Sequence, residues 1–386
     1  MDLSLTDEQR LLKESVERLL MDRFGFEARQ RFMAEPAGWS RALWQSYAEL
    51  GLLGLPFEEK HGGVGGGPVE TMIVMEAFGR ALALEPFLAT VVLGGGLLRR
   101  GADEAMRSAL IPKIARGVLL LAFAHAERQS RYDLADVATT ARRDGGGYVL
   151  DGAKTLVIHG DCADKLIVSA RLAGARRDRD GLGLFVIDAD AAGVSRRGYR
   201  TVDGLRAAEV VLSGARVGAS EILGEPGKAF PLIAQVADEA IAALAAEAVG
   251  AMAATHEMTV DYLKTRKQFG VPIGSFQVLQ HRAAEMLIAL EQARSMALFA
   301  AMMVEEPDPT ERRRAIAAAK VQIGRSGRFV GQQAIQLHGG MGMTMEYKVG
   351  HYFKRVTAID ALFGDADHHL AELARLGGLI GAREAK

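Results

Sequence analysis

The sequence predicts an α+β fold in three successive blocks. These are an N-terminal helical domain over residues 1–117, a barrel-like β domain over 118–225, and an antiparallel helical bundle over 226–386. Three observations predict it. Apolar residues recur at helical spacing through the first block. The second block breaks into short β-compatible runs separated by glycine turns, with no helical pattern between them. From Phe230 onward the helical pattern returns in stretches of about 30 residues each, roughly 45 Å at 1.5 Å per residue.

Thr6 and Gln9 fit a capping box that opens the first helix, and Leu11, Leu12, Val16, Leu19 and Leu20 follow at helical spacing. A second helix is expected over 41–50, stopped by the turn-rich stretch from Leu53 to Gly63. Further helices are expected over 69–84, 86–100 and 104–114. Strands are expected over 119–125, 136–142, 147–150, 154–158, 165–170, 183–187 and 208–211. Asp144-Gly145-Gly146-Gly147 and Asp151-Gly152 supply turns between them. The charged cluster over 176–180 reads as a solvated hairpin tip. Long helices are expected over 232–266, 276–305 and 310–337. Pro307-Asp308-Pro309 separates the last two, and Thr310 is the expected N-cap of the third.

Lys plus Arg total 47 and Asp plus Glu 48, for a formal charge of −1. That balance argues against a general nucleic-acid binder, which needs a basic excess. The single cysteine, Cys162, allows no intrachain disulfide and no thiolate zinc cluster, in keeping with a reducing cytoplasm. No signal peptide is visible, and no run of 18 apolar residues suggests a membrane span. The glycine runs 62–67 and 94–96 fit neither a dinucleotide fingerprint nor a P-loop and read as turns and close packing. Asp365, Asp367, His368 and His369 lack metal-site spacing, since adjacent residues on a helix point about 100° apart.

Two segments carry a sharper signal. In the first, Arg266-Lys267-Gln268-Phe269-Gly270-Val271-Pro272, a long helix ends and a turn begins. A guanidinium at such a corner suits a bidentate phosphate contact; alternatively it complements the helix dipole. In the second, Gln336-Leu337-His338-Gly339-Gly340-Met341-Gly342, another long helix runs into a Gly-Gly turn. Without side chains there, a ligand can approach the backbone closely; alternatively the turn is a simple C-cap.

Together these segments resemble the acyl-CoA dehydrogenase family. That family carries Arg-Lys-x-Phe-Gly-x-x-Ile-x-x-x-Gln and, about 70 residues later, Gln-x-x-Gly-Gly-x-Gly-x-x-x-Glu-Tyr. The turn from Leu55 to Gly63 and the segment from Leu223 to Phe230 are also similar, so the resemblance spans nearly the whole chain. Within the family it is greatest to the small subunits of bacterial pimeloyl-CoA dehydrogenases. The resemblance implies an FAD-dependent α,β-dehydrogenation of a CoA thioester. A carboxylate takes the α-proton and the flavin takes the β-hydride. It also implies that Arg266, Gln268, Phe269, Gln336, Gly339 and Gly340 form a cofactor-binding group, serving the FAD of a neighbouring subunit.

Elsewhere the chain departs from the family. Where the family has Thr-Glu-Pro-Gly-x-Gly-Ser-Asp, this chain has Ala126-Glu127-Arg128-Gln129-Ser130-Arg131-Tyr132-Asp133. Where the family has Trp-Ile-Thr-Asn, it has Leu156-Val157-Ile158-His159. The family's base lies in Ile-Tyr-Glu-Gly-Thr, which places Gly364 at the base position. Relatives with the base on the first bundle helix place Ala240 there. The remaining candidate bases are Asp365, Glu239 and Glu247; otherwise Asp238 and Glu239 are a surface pair and Glu247 a helix–helix hydrogen bond.

Residues that would serve a neighbour's flavin are kept, and those that would serve the chain's own are replaced. The reading is therefore a base-lacking subunit of a heteromeric, cytoplasmic acyl-CoA dehydrogenase, paired with a complete sister in an α2β2 tetramer. The resemblance suggests medium-chain or dicarboxylic acyl-CoA esters and an electron-transferring flavoprotein as acceptor. The alternatives are a self-sufficient dehydrogenase with a relocated carboxylate and a non-enzymatic scaffold subunit.

Overall fold

The structure is a computed structural model and describes residues 5–377. It divides into two compact units. One comprises residues up to Arg31, Pro68–Ala83 and the chain from Ile241; the other comprises Phe32–Gly67 and Leu84–Ala240.

The first unit is helical. It holds α1 (Asp7–Arg23), the start of α2 (Phe26–Ala34), α4 (Pro68–Ala81) and most of α7 (Phe230–Thr265). It also holds α8 (Gln277–Met303), α9 (Pro309–His338), α10 (Lys348–Ala361) and α11 (Ala366–Arg375). The Thr6–Gln9 capping box forms as expected, with reciprocal bonds of 3.2 and 3.0 Å. The N-cap of α9 is Asp308 and not Thr310. The Asp308 carboxylate accepts the Thr310 amide at 2.8 Å, and Pro309 takes the first helical position, where its missing N–H costs nothing.

Helices α4 and α7 cross at backbone contact. A Cβ on Gly79 would lie 1.8 Å from the Glu247 carbonyl, and one on Gly250 1.8 Å from that of Glu76. The same stretch of α7 is tied to α10 by Arg355, whose guanidinium donates two bonds to the Glu247 carboxylate at 2.5 and 2.7 Å. Among the described residues one helix, α8, is long and apolar enough to cross a membrane, although the sequence has no unbroken apolar run of that length. It packs on α9 and α4 and leaves Val278 and Ile288 exposed.

The second unit is built on an eight-stranded sheet of β1 (Leu121–Ala124), β2 (Thr140–Asp144), β3 (Gly147–Ile158), β4 (Lys165–Arg171), β5 (Leu182–Asp188), β6 (Val194–Arg200), β7 (Arg206–Val217) and β8 (Ile222–Leu223). The hydrogen-bonded order is β6-β7-β3-β2-β4-β5-β8, with β1 added parallel to β4. The core lies beneath Leu150, Val157, Leu166, Val168, Phe185 and Val210. α3 (Arg41–Glu49), α5 (Gly95–Gly101) and α6 (Glu104–Ala115) belong to this unit.

Three expectations need correction here. The runs 147–150 and 154–158 are one strand. Asp151-Gly152 marks a register shift against β7, where a Cβ on Gly152 would strike Thr139. β6 escaped notice because its alternate residues are solvated and the sequence Val-Ser-Arg-Arg-Gly-Tyr-Arg reads as polar. The expected helix over 86–100 is a π-helical turn, Leu88–Gly94, that runs on into α5. There the Thr90 hydroxyl exchanges bonds with the backbone of Leu121 at 3.2 and 3.1 Å. The glycine run 94–96 is close packing inside that helix: a Cβ on Gly94 would meet Leu121 at 2.6 Å.

Candidate functional site

The helical unit contains a cleft of about 670 Å³ at the corner where α7 and α9 end. That volume suits a small-molecule or cofactor moiety. Five of the six expected binding residues line it: Arg266, Gln268, Gln336, Gly339 and Gly340. Their convergence has local causes. α7 stops at Thr265, and β9 (Lys267–Gln268) and β10 (Val271–Pro272) form a minimal antiparallel hairpin. Its two tip residues, Phe269 and Gly270, have φ of +54° and +81°, so both central turn residues are left-handed. The turn throws Gln268 back beside Arg266. Phe269 does not line the cleft; it stands at the hairpin tip, 90% exposed, edge-on to Phe276 at 6.1 Å.

On the other wall α9 ends at His338, and Gly339 takes φ +57° to start a 3₁₀ turn. A Cβ on Gly339 or Gly340 would meet nothing within 4 Å, so this backbone is open to an incoming group. Behind it His338 is buried, its Nδ1 bonded to the Ala334 carbonyl at 2.8 Å and its ring 4.5 Å from that of Tyr262. Burial lowers the imidazole's pKa, which favours the neutral form. Tyr262, Arg282 and His338 all line the cleft but were not singled out from the sequence. The available signal was spacing: Tyr262 lies one helical turn before Arg266.

In the sheet unit, the segment that replaces the family's glycine loop is tied into a buried polar knot. Lys154 Nζ donates to Glu127 Oε1 at 2.7 Å, to the His125 carbonyl at 3.2 Å and to Ser169 Oγ at 3.1 Å. Glu127 also accepts the Ala138 and Thr139 amides at 2.8 and 3.0 Å and the Gln129 side chain at 2.7 Å. Burial alone would raise the Glu127 carboxyl, but the Lys154 charge and these donors outweigh it and hold it well below its ordinary value. Arg131 has a left-handed φ of +47°, a conformation that favours glycine, with a bulky side chain on it.

The candidate bases are all engaged. Glu239 lies between Arg99, at 3.0 Å, and Arg100. Glu247 is the buried partner of Arg355. Asp365 is the N-cap of α11 and accepts the His368 amide at 2.8 Å. Ala240 is fully buried and Gly364 has φ +108°. The surface-pair reading of Asp238 and Glu239 fails, because Asp238 is buried and Glu239 nearly so. The helix–helix reading of Glu247 describes what is seen.

Comparison with known proteins places these features. The acyl-CoA dehydrogenase N-terminal, middle and C-terminal domain families match residues 6–118, 122–214 and 230–377. The chain is 33% identical over 314 residues to acyl-CoA dehydrogenase FadE12 of Mycobacterium tuberculosis, covering 80% of each protein. It superposes on the ChsE4–ChsE5 complex of the same organism with a TM-score of 0.88, at 26% identity and covering 97% of this chain and 98% of that one. The FAD complex of PigA gives a TM-score of 0.90 at 25% identity, covering 98% of this chain and 100% of that one. The chain belongs to the acyl-CoA dehydrogenase family, a family of flavoprotein oxidoreductases whose cofactor is FAD.

The residues fit that cofactor unevenly. The bundle cleft combines an exposed guanidinium, two amide side chains and an unobstructed Gly-Gly backbone, which suits a pyrophosphate and nucleoside. On the sheet side, Ala126 and Ile158 replace two hydroxyl-bearing family residues, and the Glu127 carboxylate is spent within the protein.

Proposed function

We propose that this chain is the base-lacking small subunit of a heteromeric acyl-CoA dehydrogenase, similar to the small subunits of bacterial pimeloyl-CoA dehydrogenases. It pairs with a complete sister subunit in a cytoplasmic α2β2 tetramer. The observation that carries the reading is the contrast within one chain: five cofactor residues converge on an open cleft, while the three candidate carboxylates, Glu239, Glu247 and Asp365, are committed elsewhere. That a relative of known structure is a complex of two named chains, ChsE4 and ChsE5, supports a two-chain assembly.

FAD, when bound, supplies the hydride acceptor for α,β-dehydrogenation of a medium-chain or dicarboxylic acyl-CoA. Arg266 lies at the cleft wall, where its planar fork pairs with the cofactor's pyrophosphate. Gln268 and Gln336 hydrogen-bond the nucleoside, and Gly339 and Gly340 leave room for it. Phe269, held out on its rigid turn, packs on the sister chain and excludes water from the joint. The sister supplies the carboxylate that takes the α-proton, and an electron-transferring flavoprotein accepts the electrons.

The test is flavin counting. The purified chain is expected to carry no flavin, and its tetramer with the sister two. One FAD per isolated chain overturns the reading. Arg266→Ala is expected to lower the flavin content of the tetramer; an unchanged content indicates a scaffold subunit.

A further inference from the structure

The corner after α10 is built unlike a site that holds a catalytic side chain. Gly364, at the family's base position, has φ +108°, a conformation L side chains rarely adopt. A Cβ there would lie 2.6 Å from His368 Cδ2 and 2.7 Å from His369 Nε2. The imidazoles are not loose obstacles. His369 is fully buried, and its Nε2 bonds to the Phe363 carbonyl at 3.0 Å, one residue before the glycine. The two rings stand edge to face at 5.2 Å. Glu372, held bidentately by Arg313 at 2.8 and 2.6 Å, lies behind both.

The backbone of the corner is fixed as well. Buried Lys320 donates to the Ile359 and Asp360 carbonyls at the end of α10. The Asp360 carboxylate accepts the Ala366 amide at 3.2 Å, closing the loop across its neck. Asp365, the other carboxylate within reach, is committed to capping α11.

We propose that residues 362–366 form a sealed corner in which His368 and His369 hold the space that a proton-abstracting side chain at position 364 would need. This corner then brings no acid–base group to an acyl-CoA, and replacing the glycine cannot restore one. The inference rests on the heteromer reading and deepens it: turnover in the tetramer belongs to the sister's acid–base group alone.

The experiment uses tetramers whose sister carries an amide in place of its catalytic carboxylate. With wild-type small subunit they are expected to be inactive toward acyl-CoA. Activity at that stage would overturn the base-lacking reading of this chain. With Gly364→Glu the tetramer is expected to stay inactive. Recovered turnover would overturn the sealed corner while leaving the heteromer intact. Gly364→Ala asks for the Cβ alone, so it keeps the test decisive even where the glutamate variant does not fold. It is expected to lower the thermal midpoint by on the order of 5 °C, and the added change His368→Ala to recover part of that loss. An unchanged midpoint in Gly364→Ala would also overturn the proposal.

Discussion

Two helices of the bundle end in glycine corners, and the corners do opposite things. After α9, Gly339 and Gly340 face open space, where added Cβ atoms would meet nothing within 4 Å. After α10, Gly364 faces two imidazoles, and an added Cβ would meet one at 2.6 Å. Both corners rely on a residue without a side chain, but the first leaves room for something from outside and the second for the protein's own rings. A glycine in a sequence reports that space is needed and is silent about whose atoms fill it.

Four measurements break or sharpen this contrast. The largest effect is expected from Glu247→Ala, which removes the buried carboxylate that Arg355 holds from the helix leading into the closed corner. Breaking a buried pair from one side costs about 3–5 kcal/mol, and urea unfolding reads it directly. A loss under about 1 kcal/mol would mean that α10, and with it the closed corner, is held by other contacts.

Next comes the open corner. In the proposed tetramer, Arg266→Ala is expected to remove a charge-assisted contact worth about 1.5–3 kcal/mol and so to lower FAD affinity roughly tenfold to a hundredfold. Flavin fluorescence titration measures it, and an unchanged dissociation constant detaches the open corner from the cofactor.

The third separates the corners by pH. Burial, reinforced by the Arg313 and Lys320 charges and opposed by Glu372, pushes the His369 imidazole down from 6.5 to about 3. The folded state therefore binds the proton less readily than the unfolded chain does. The stabilisation is fully present above pH 6.5 and is lost as the pH falls from there toward 3. Burial also lowers His368, so it acts in the same direction. His369→Gln is expected to flatten this limb of the stability–pH curve, and an unaltered slope would show that the closed corner does not exclude protons.

The smallest effect is the most discriminating. Gly340→Ala is expected to change stability by no more than about 0.5 kcal/mol, as at an ordinary surface site, yet to weaken FAD binding because its Cβ enters the cleft. Lost stability with intact binding would invert the comparison.

The order of helical and sheet blocks was legible because periodicity is a local property. So were the ends of the long helices, where glycine and proline punctuate the chain. Convergence of Arg266 and Gln336 was readable only through the family resemblance, since nothing local brings positions 70 residues apart together. The partners of the candidate bases were not readable at all. Glu239 meets arginines 140 and 139 residues away, and Glu247 meets one 108 away. The cap of α9 went to Asp308 and not Thr310 because Pro309 starts the helix two residues earlier than the hydroxyl would suggest. The π-helical turn carries Thr90, whose hydroxyl bonds the backbone of Leu121, a contact with no periodic trace in the sequence.

The hairpin tip has a consequence for the cell. Phe269 is held outward by a turn in which its own backbone is left-handed, so the folded chain presents an exposed aromatic ring at a defined place. In the proposed heteromer, copies made in excess of the sister chain would carry that ring uncovered, open to proteases and self-association. On the heteromer reading, the ratio at which the two polypeptides are made then decides how much of this ring stays uncovered.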